Sequence, residues 1–533
     1  MTPPTFKESL RYDLVAGFLV FLIALPLCLG ISMASGYPPI AGIVTAIVGG
    51  IIAPFVSNSE LTIKGPAAGL IVIVLGAVTE LDAVSPGHGY VLALGVSVVA
   101  GMLQIAFALA RGGSLSEFFP KAAVHGMLAA IGIIIAAKQV HVLLGVSPSG
   151  KSPFQLIGEI PHSVRELNPE IAGIGIVSLV LLFLLPAIRH PIVKKLPAPV
   201  VVLAFAIVTG EAIDLQHDHG YSIAGHEYDV GPRYLVDVPA KLLAAVTLPD
   251  FSAVLTGVGI KYVIMLALVG SLESLLSANA IDLLDPWKRK TDMNRDLLAI
   301  GVGNTFAALC GGLPMISEIV RSSANINNGA RTRLANLFHG LFLLGLVAAV
   351  PGLIHMVPFS ALAAMLVYTG YRLASPKEFV HTYKVGVEQL AIFTSTVIAT
   401  LATDLLIGIA VGIFVKLALH VARGAPLRSL FRAPFEVVTS DGSCCEIRVS
   451  DSAVFSNWIP LKRRLTHVIA HHAHIRIDFG TTHLVDHTVM SKLVELSREL
   501  ERHGKALELV GLEQHEPVSS HPASARRKTK GRG

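Results

Sequence analysis

Charge is what this sequence has least of. Only 15% of its 533 residues are Asp, Glu, Lys or Arg, against about 25% in soluble domains. A string of soluble domains is therefore excluded for most of the length. Cysteine is scarce as well: Cys28, Cys310, Cys444 and Cys445 are too few for a disulfide framework, and two of them lie in apolar stretches. The absence of a glycine period excludes collagen, and a hydrophobic content of 53% excludes disorder. Apolar sequence is what fills the chain, and the composition specifies an integral membrane protein. The net charge of +5 is modest. Its basic residues are sorted by side of the membrane rather than gathered on one face, so no nucleic-acid partner is expected.

A spanning helix needs roughly 20 apolar residues. Twelve segments qualify: 12–34, 38–56, 89–110, 122–144, 170–188, 198–213, 255–281, 296–311, 334–350, 357–373, 388–402 and 404–421. Two more, 65–78 and 315–328, are shorter and interrupted, which makes about fourteen. Placing the N-terminus in the cytoplasm makes every second turn basic: Lys64; Arg111 and Lys121; Arg189, Lys194 and Lys195; Lys288 to Arg295; Arg331 and Arg333; Arg372, Lys377 and Lys384. The short alternate turns carry no Lys or Arg. Only the long outer loops 145–169 and 214–254 do, at Lys151, Arg165, Arg233 and Lys241. This alternation predicts an even span count and a cytoplasmic C-terminus.

The interrupted segments occupy matching places. Gly65-Pro66-Ala67-Ala68-Gly69 lies about 53 residues after the start of the first span, and Gly311-Gly312-Leu313-Pro314 about 56 after the start of the span near 255. With seven segments per half, the second half must run inverted relative to the first. Matched, Gly/Pro-interrupted segments are the best sequence pointer to a transporter's binding site. A helix that starts inside the membrane, with proline tolerated in its first turn, aims free N–H groups and a positive dipole end at an anion. Gly and Pro are also merely frequent in membrane helices; the matching of the pair favours the functional reading.

Charges within spans are costly, by about 2.5–3.5 kcal/mol on insertion scales. Glu273 lies deep in its span with Ser277 four residues on, on the same helix face, a candidate cation or proton site. The alternative is a carboxyl that stays protonated and bonds a neighbouring helix. Ser317, Glu318 and Arg321 fall at the first turns of the second broken helix. Arg321 either offers forked donors to an oxyanion, pairs with Glu318, or snorkels to the surface. Asp282, Asp285 and Asp404 are expected at turns, in water.

After a basic linker at 423–434, alternating runs at 435–439, 444–449 and 467–478 predict strands, with a further strand at 506–511. Segments 457–465 and 484–503 predict amphipathic helices. This is a small α/β domain on the cytoplasmic side, and 514–533 is expected to be a disordered basic tail. Its histidines and the adjacent Cys444 and Cys445 lack metal-ligand spacing, so neither a metal nor a cofactor is expected.

Taken together, these residues resemble the sulfate permease (SulP) family of anion transporters. The resemblance rests on Ala24-Leu-Pro-Leu-Cys-Leu-Gly30 with Ser35-Gly36, Gly65-Pro-Ala-Ala68, Ser271-Leu-Glu-Ser-Leu-Leu-Ser277, Gly311-Gly-Leu-Pro314 with Arg321-Ser322, and Gly329-Ala-Arg-Thr332. Ile477-Asp-Phe-Gly-Thr481 and Leu484-Val-Asp-His487 are similar to the family's STAS domain, although His487 stands where soluble STAS regulators carry a phosphorylatable serine. The style is nearest to bacterial members associated with carbonic anhydrase. The resemblance implies an all-α polytopic fold of seven-plus-seven inverted repeats, with the uracil-permease-like core and gate, usually a homodimer. It implies a transport domain over 1–425 and a STAS domain over 435–513. It places an inorganic anion, sulfate or bicarbonate, at Gly65, Pro66, Ala67, Ala68, Ser317, Glu318 and Arg321. A coupling cation, Na+ or H+, falls at Glu273 and Ser277. The expected protein is a non-enzymatic secondary transporter of the bacterial inner membrane, with a cytoplasmic partner, such as carbonic anhydrase, possible at the STAS domain. The alternatives are a dicarboxylate or nucleobase transporter of the same fold, or a transport-silent scaffold.

Overall fold

The computed structural model describes residues 6–150, 152–190, 197–223, 225–238, 246–430, 432, 435–440, 444–502 and 504–528. Lys151, Lys194, Lys195 and Lys241, used above for orientation, lie outside the described residues, as do parts of the 423–434 linker and 529–533 of the tail.

All twelve long apolar segments are helices, in chain order with a few shorter ones. The first half holds α1 (Phe6–Ala34), α2 (Pro39–Val56), α3 (Ile71–Asp82), α4 (Gly89–Leu109), α5 (Leu115–Phe118), α6 (Lys121–Leu143), α7 (Pro153–Arg165), α8 (Pro169–Leu184) and α9 (Ala198–Ala212). The second holds α10 (Gly257–Leu284), α11 (Met293–Leu309), α12 (Ile319–Asn327), α13 (Leu334–Ala349), α14 (Pro351–His355), α15 (Phe359–Leu373), α16 (Pro376–Val385), α17 (Val387–Ala402) and α18 (Leu405–Ala422). Four short strands interrupt them: β1 (Ile63–Pro66), the hairpin of β2 (His219–Ile223) and β3 (His226–Val230) between α9 and α10, and β4 (Met315–Glu318). The amphipathic α7 and the hairpin were not foreseen.

The chain divides into two compact units. The first comprises residues 1–113 and 131–373. In it α1 packs on α2, α13 and α15, and α4 packs on α10 and α11. Small residues set the spacing: a Cβ on Gly50 of α2 would lie 2.6 Å from Gly340 Cα of α13, so nothing larger than glycine fits this crossing. Thr256 and Asp292 start α10 and α11 by accepting backbone N–H bonds, from Gly259 in one case and from Asn294 and Arg295 in the other.

At the crossing of the halves the expectation is corrected. Gly65 and Pro66 do not begin a helix. They end β1, which pairs antiparallel with β4 in the register Ile63↔Glu318, Lys64↔Ser317, Gly65↔Ile316 and Pro66↔Met315. Ser317 is likewise a strand residue, and Glu318 is the N-cap of α12 rather than part of its first turn. The antiparallel sense is what two inverted halves produce when the same chain position meets itself. Lys64 is not a turn cation: it is buried in β1. Asp285 is buried and bound by Arg289 at 2.7 Å, while Asp282 accepts bonds from Thr291, so neither stands in open water.

The second unit, 114–130 and 374–533, carries α16 to α18 and an α/β domain. The domain contains β5 (Phe435–Ser440), β6 (Cys444–Val449), β7 (Asp451–Ala453), α19 (Trp458–His471), β8 (His474–Asp478), β9 (Thr482–Val485), α20 (His487–Arg502), β10 (Ala506–Val510), β11 (His515–Pro517) and β12 (Arg526–Lys528). The main sheet runs β10-β8-β6-β5, parallel except for β5, over a core that includes Ile447, Ile477, Trp458, Leu465 and Val489. Two expectations fail here. Residues 467–471 close α19 instead of opening a strand, because Val468 and Ile469 extend the stripe set by Leu461 and Leu465. The tail is not disordered over its described part: β11 and β12 pair with each other, and β12 extends β9. Arg526 to Lys528 thus spend their backbone bonds in a sheet.

Within this unit Lys416 of α18 lies 3.0 Å from Asp486 and donates to Thr488 Oγ1 at 2.7 Å. Asp486 also accepts from the Phe455 and Val489 N–H groups, the latter at the start of α20. Burial pushes its carboxyl up, but the Lys416 ammonium, His420 and the Val489 N–H together outweigh burial and hold it below the usual carboxylate range.

Candidate functional site

The site is built on a two-stranded ribbon inside a membrane protein, an arrangement that leaves backbone groups to be satisfied by side chains. Those side chains are present. Asn336 accepts from Lys64 N–H and donates to Gly49 O; Asn304 exchanges bonds with both Met315 N–H and Met315 O. Ser322 accepts from Ile63 N–H at 2.8 Å, and Asn325 donates to Leu61 O at 3.1 Å. Thr45 does the same for Leu313. Of these residues only Ser322 was quoted from the sequence, in the Arg321-Ser322 pair, although polar residues in otherwise apolar spans were the available signal.

The ribbon brings Gly65, Pro66, Ala67, Ala68, Glu318 and Arg321 together. Arg321, in the first turn of α12, is fully buried and does not snorkel. Its Nη2 donates to Pro66 O at 3.4 Å, and a Cβ on Gly65 would collide with its Nη1. Gly65 is therefore the residue that lets the guanidinium lie against the first break. The Nε and Nη1 groups have no hydrogen-bond partner, and Arg321 forms no salt bridge among the described residues. Cys28 of α1, within the Ala24–Gly30 run, lies beside it. Glu318 takes a different position: its Oε1 accepts from Ala68 N–H at 3.4 Å, across the ribbon. A carboxylate thus already lies at the N–H group that opens the helical segment after the first break.

Glu273, on α10, packs so closely on Gly69 that a Cβ there would overlap its carboxyl, and its Oε2 is buried without a hydrogen-bond partner. An orphaned carboxyl oxygen of this kind either carries a proton or awaits a cation. Ser277 is buried on the same helix, but no hydrogen bond joins it to Glu273 among the described residues. Ser317 is drawn elsewhere: its hydroxyl meets Lys64, Asp296 and Ser274 instead of Arg321. The arrangement can therefore hold an oxyanion by guanidinium and backbone donors beside a separate carboxyl that accepts a proton or small cation.

The sulfate permease family model matches residues 10–396. The YvdB protein of Bacillus subtilis is 26% identical over 513 residues, covering 95% of this chain and 92% of that one. The bicarbonate transporter BicA of Picosynechococcus is 24% identical over 427 residues, covering 79% and 72%. The sodium-independent sulfate anion transporter of Bos taurus is 24% identical over 531 residues, covering 95% and 84%. In fold, the chain is similar to the transmembrane domain of a cyanobacterial BicA, with a TM-score of 0.63 at 23% identity over 77% of this chain and 99% of that one. It is also similar to murine Solute Carrier 26 family member A9 in its inward-facing state, with a TM-score of 0.65 at 14% identity over 95% and 86%.

Proposed function

Because the chain belongs to the sulfate permease family, we propose that it is a secondary transporter of a small inorganic oxyanion, sulfate or bicarbonate, coupled to H+ or Na+ in the bacterial inner membrane. One observation carries the reading: a fully buried guanidinium with two unpartnered donor positions, lying against Gly65 where the breaks of the two halves pair. Buried donors left without acceptors are costly. A substrate oxyanion supplies acceptors for Nε and Nη1, and the planar fork of arginine matches its geometry. The Gly65–Ala68 backbone forms the other wall. Glu318 holds the Ala68 N–H until the anion arrives, so it acts as the competitor that the anion displaces. Glu273 takes the coupling ion, with Ser277 beside it. Residues 1–425 form the transport domain, and 435–513 a STAS domain facing the cytoplasm.

The test is uptake of labelled sulfate and bicarbonate into proteoliposomes, with and without imposed proton and sodium gradients. The expected result is gradient-driven accumulation of one anion, reduced about tenfold or more in Arg321→Ala, equivalent to about 1.4 kcal/mol. Flat traces for both anions with the unmodified protein would overturn the reading.

A further inference from the structure

The innermost ion pair of the first unit has no part in this transport scheme. Lys64 and Asp296 have side chains 1% and 0% exposed, and their charged atoms lie 2.6 Å apart. The Lys64 ammonium also donates to Ser317 Oγ. Around it, Ser317 Oγ donates to Asp296 Oδ2 at 3.1 Å, Ser274 Oγ donates to Ser317 Oγ at 3.0 Å, and Ser57 Oγ donates to Asp296 Oδ1 at 2.6 Å. The ammonium is held by oxygens, a carboxylate and a hydroxyl with further hydroxyls behind them. Hard cations take ligands of this kind. The oxygens come from the end of α2, from α10, from α11 and from β4, while the lysine arrives on β1. One positive charge therefore ties the first break to the second, and both to the helix that bears Glu273.

We propose that the Lys64 ammonium is a built-in cation. It fills, on a covalent tether, a site that would otherwise take Na+, and it makes the pairing of the two breaks independent of Na+. Shortening the side chain to alanine leaves Asp296 buried with hydroxyl partners alone, an uncompensated charge that is strongly destabilising. It also opens the space of three methylenes and an ammonium group, with the Asp296 and Ser317 oxygens at its inner end, suited to a small hydrated cation. A purely structural ion pair would lose stability on the same substitution and gain nothing from Na+. The proposal rests on the transport reading only for its consequence, that Glu273 alone is left to exchange a coupling ion. Occupancy of the cage is tested without any flux.

The experiment is thermal unfolding of the purified full-length protein in NaCl against choline chloride at equal ionic strength. All proteins carry Glu273→Gln, so that Na+ at the coupling carboxyl does not contribute. With Lys64 present, the midpoint is expected to be the same in the two salts. With Lys64→Ala, it falls by several degrees in choline and recovers saturably with Na+. Adding Asp296→Asn to Lys64→Ala removes that recovery. The proposal is overturned if the protein retaining Lys64 responds equally to Na+, or if the folded Lys64→Ala protein does not respond. If Lys64→Ala yields no folded protein in choline, recovery of monodisperse material in Na+ supports the proposal. Failure in both salts, with Lys64→Met/Asp296→Asn folding normally, overturns it.

Discussion

In the proposed site, Arg321 and Glu273 divide the chemistry between two side chains of opposite demand. Arg321 has two donor groups without an acceptor and Glu273 has a buried oxygen with no partner, so their substitutions should fail differently. Arg321→Lys keeps the charge but loses the fork, and we expect weaker anion affinity with coupling retained. Glu273→Gln should leave anion binding in place and abolish the response of uptake to the imposed ion gradient; uptake with unchanged proton and sodium dependence would remove Glu273 from the coupling role. Glu318→Gln should tighten anion binding, since the competing carboxylate loses its charge at Ala68 N–H; equilibrium binding of labelled anion measures it. These three residues were legible because a charge within an apolar run demands a reason. Lys64 and Asp296 were not. Each stands at the edge of an apolar run, where a charge reads as a turn residue, and only the fold brings together positions 232 residues apart.

At the scale of elements, the twelve long helices were legible because their apolar runs exceed what any other structure uses. The strands of the crossing were not, since four residues give no measurable period. Their stability depends on asparagines that a hydropathy reading counts only as flaws. Asn336→Ala strands Lys64 N–H and removes a second bond to Gly49 O, which stays within the α2 ladder. We expect a loss of about 1–3 kcal/mol for the buried N–H left unpaired, measured as a lowered unfolding midpoint. The C-terminal domain offers a pH test through Asp486. Its folded pKa is depressed, so its contribution is complete above the ordinary carboxylate value of about 4 and is lost as pH falls through the depressed value. Acid unfolding of this domain should therefore flatten in Asp486→Asn. That substitution should also cost about 3–5 kcal/mol by stranding Lys416, much of it recovered in Asp486→Asn/Lys416→Met.

For the molecule as a whole, the two-half plan was legible from the matched Gly/Pro interruptions, and their odd segment count implied inversion. What it did not reveal is that the halves share a ribbon, because strand pairing across some 250 residues leaves no local trace. That ribbon has a consequence for how the chain is made. Lys64 leaves the ribosome 232 residues ahead of Asp296. At about 5–20 residues per second, its charge therefore waits roughly 10–50 s for its partner. Through that interval β1 has no β4, and the ammonium has no carboxylate. The first half must be held by water, lipid headgroups or the insertion machinery until the second half is delivered. A nascent chain arrested before residue 296 should remain open to protease around β1 and to amine labelling at Lys64, and the completed chain should be protected from both.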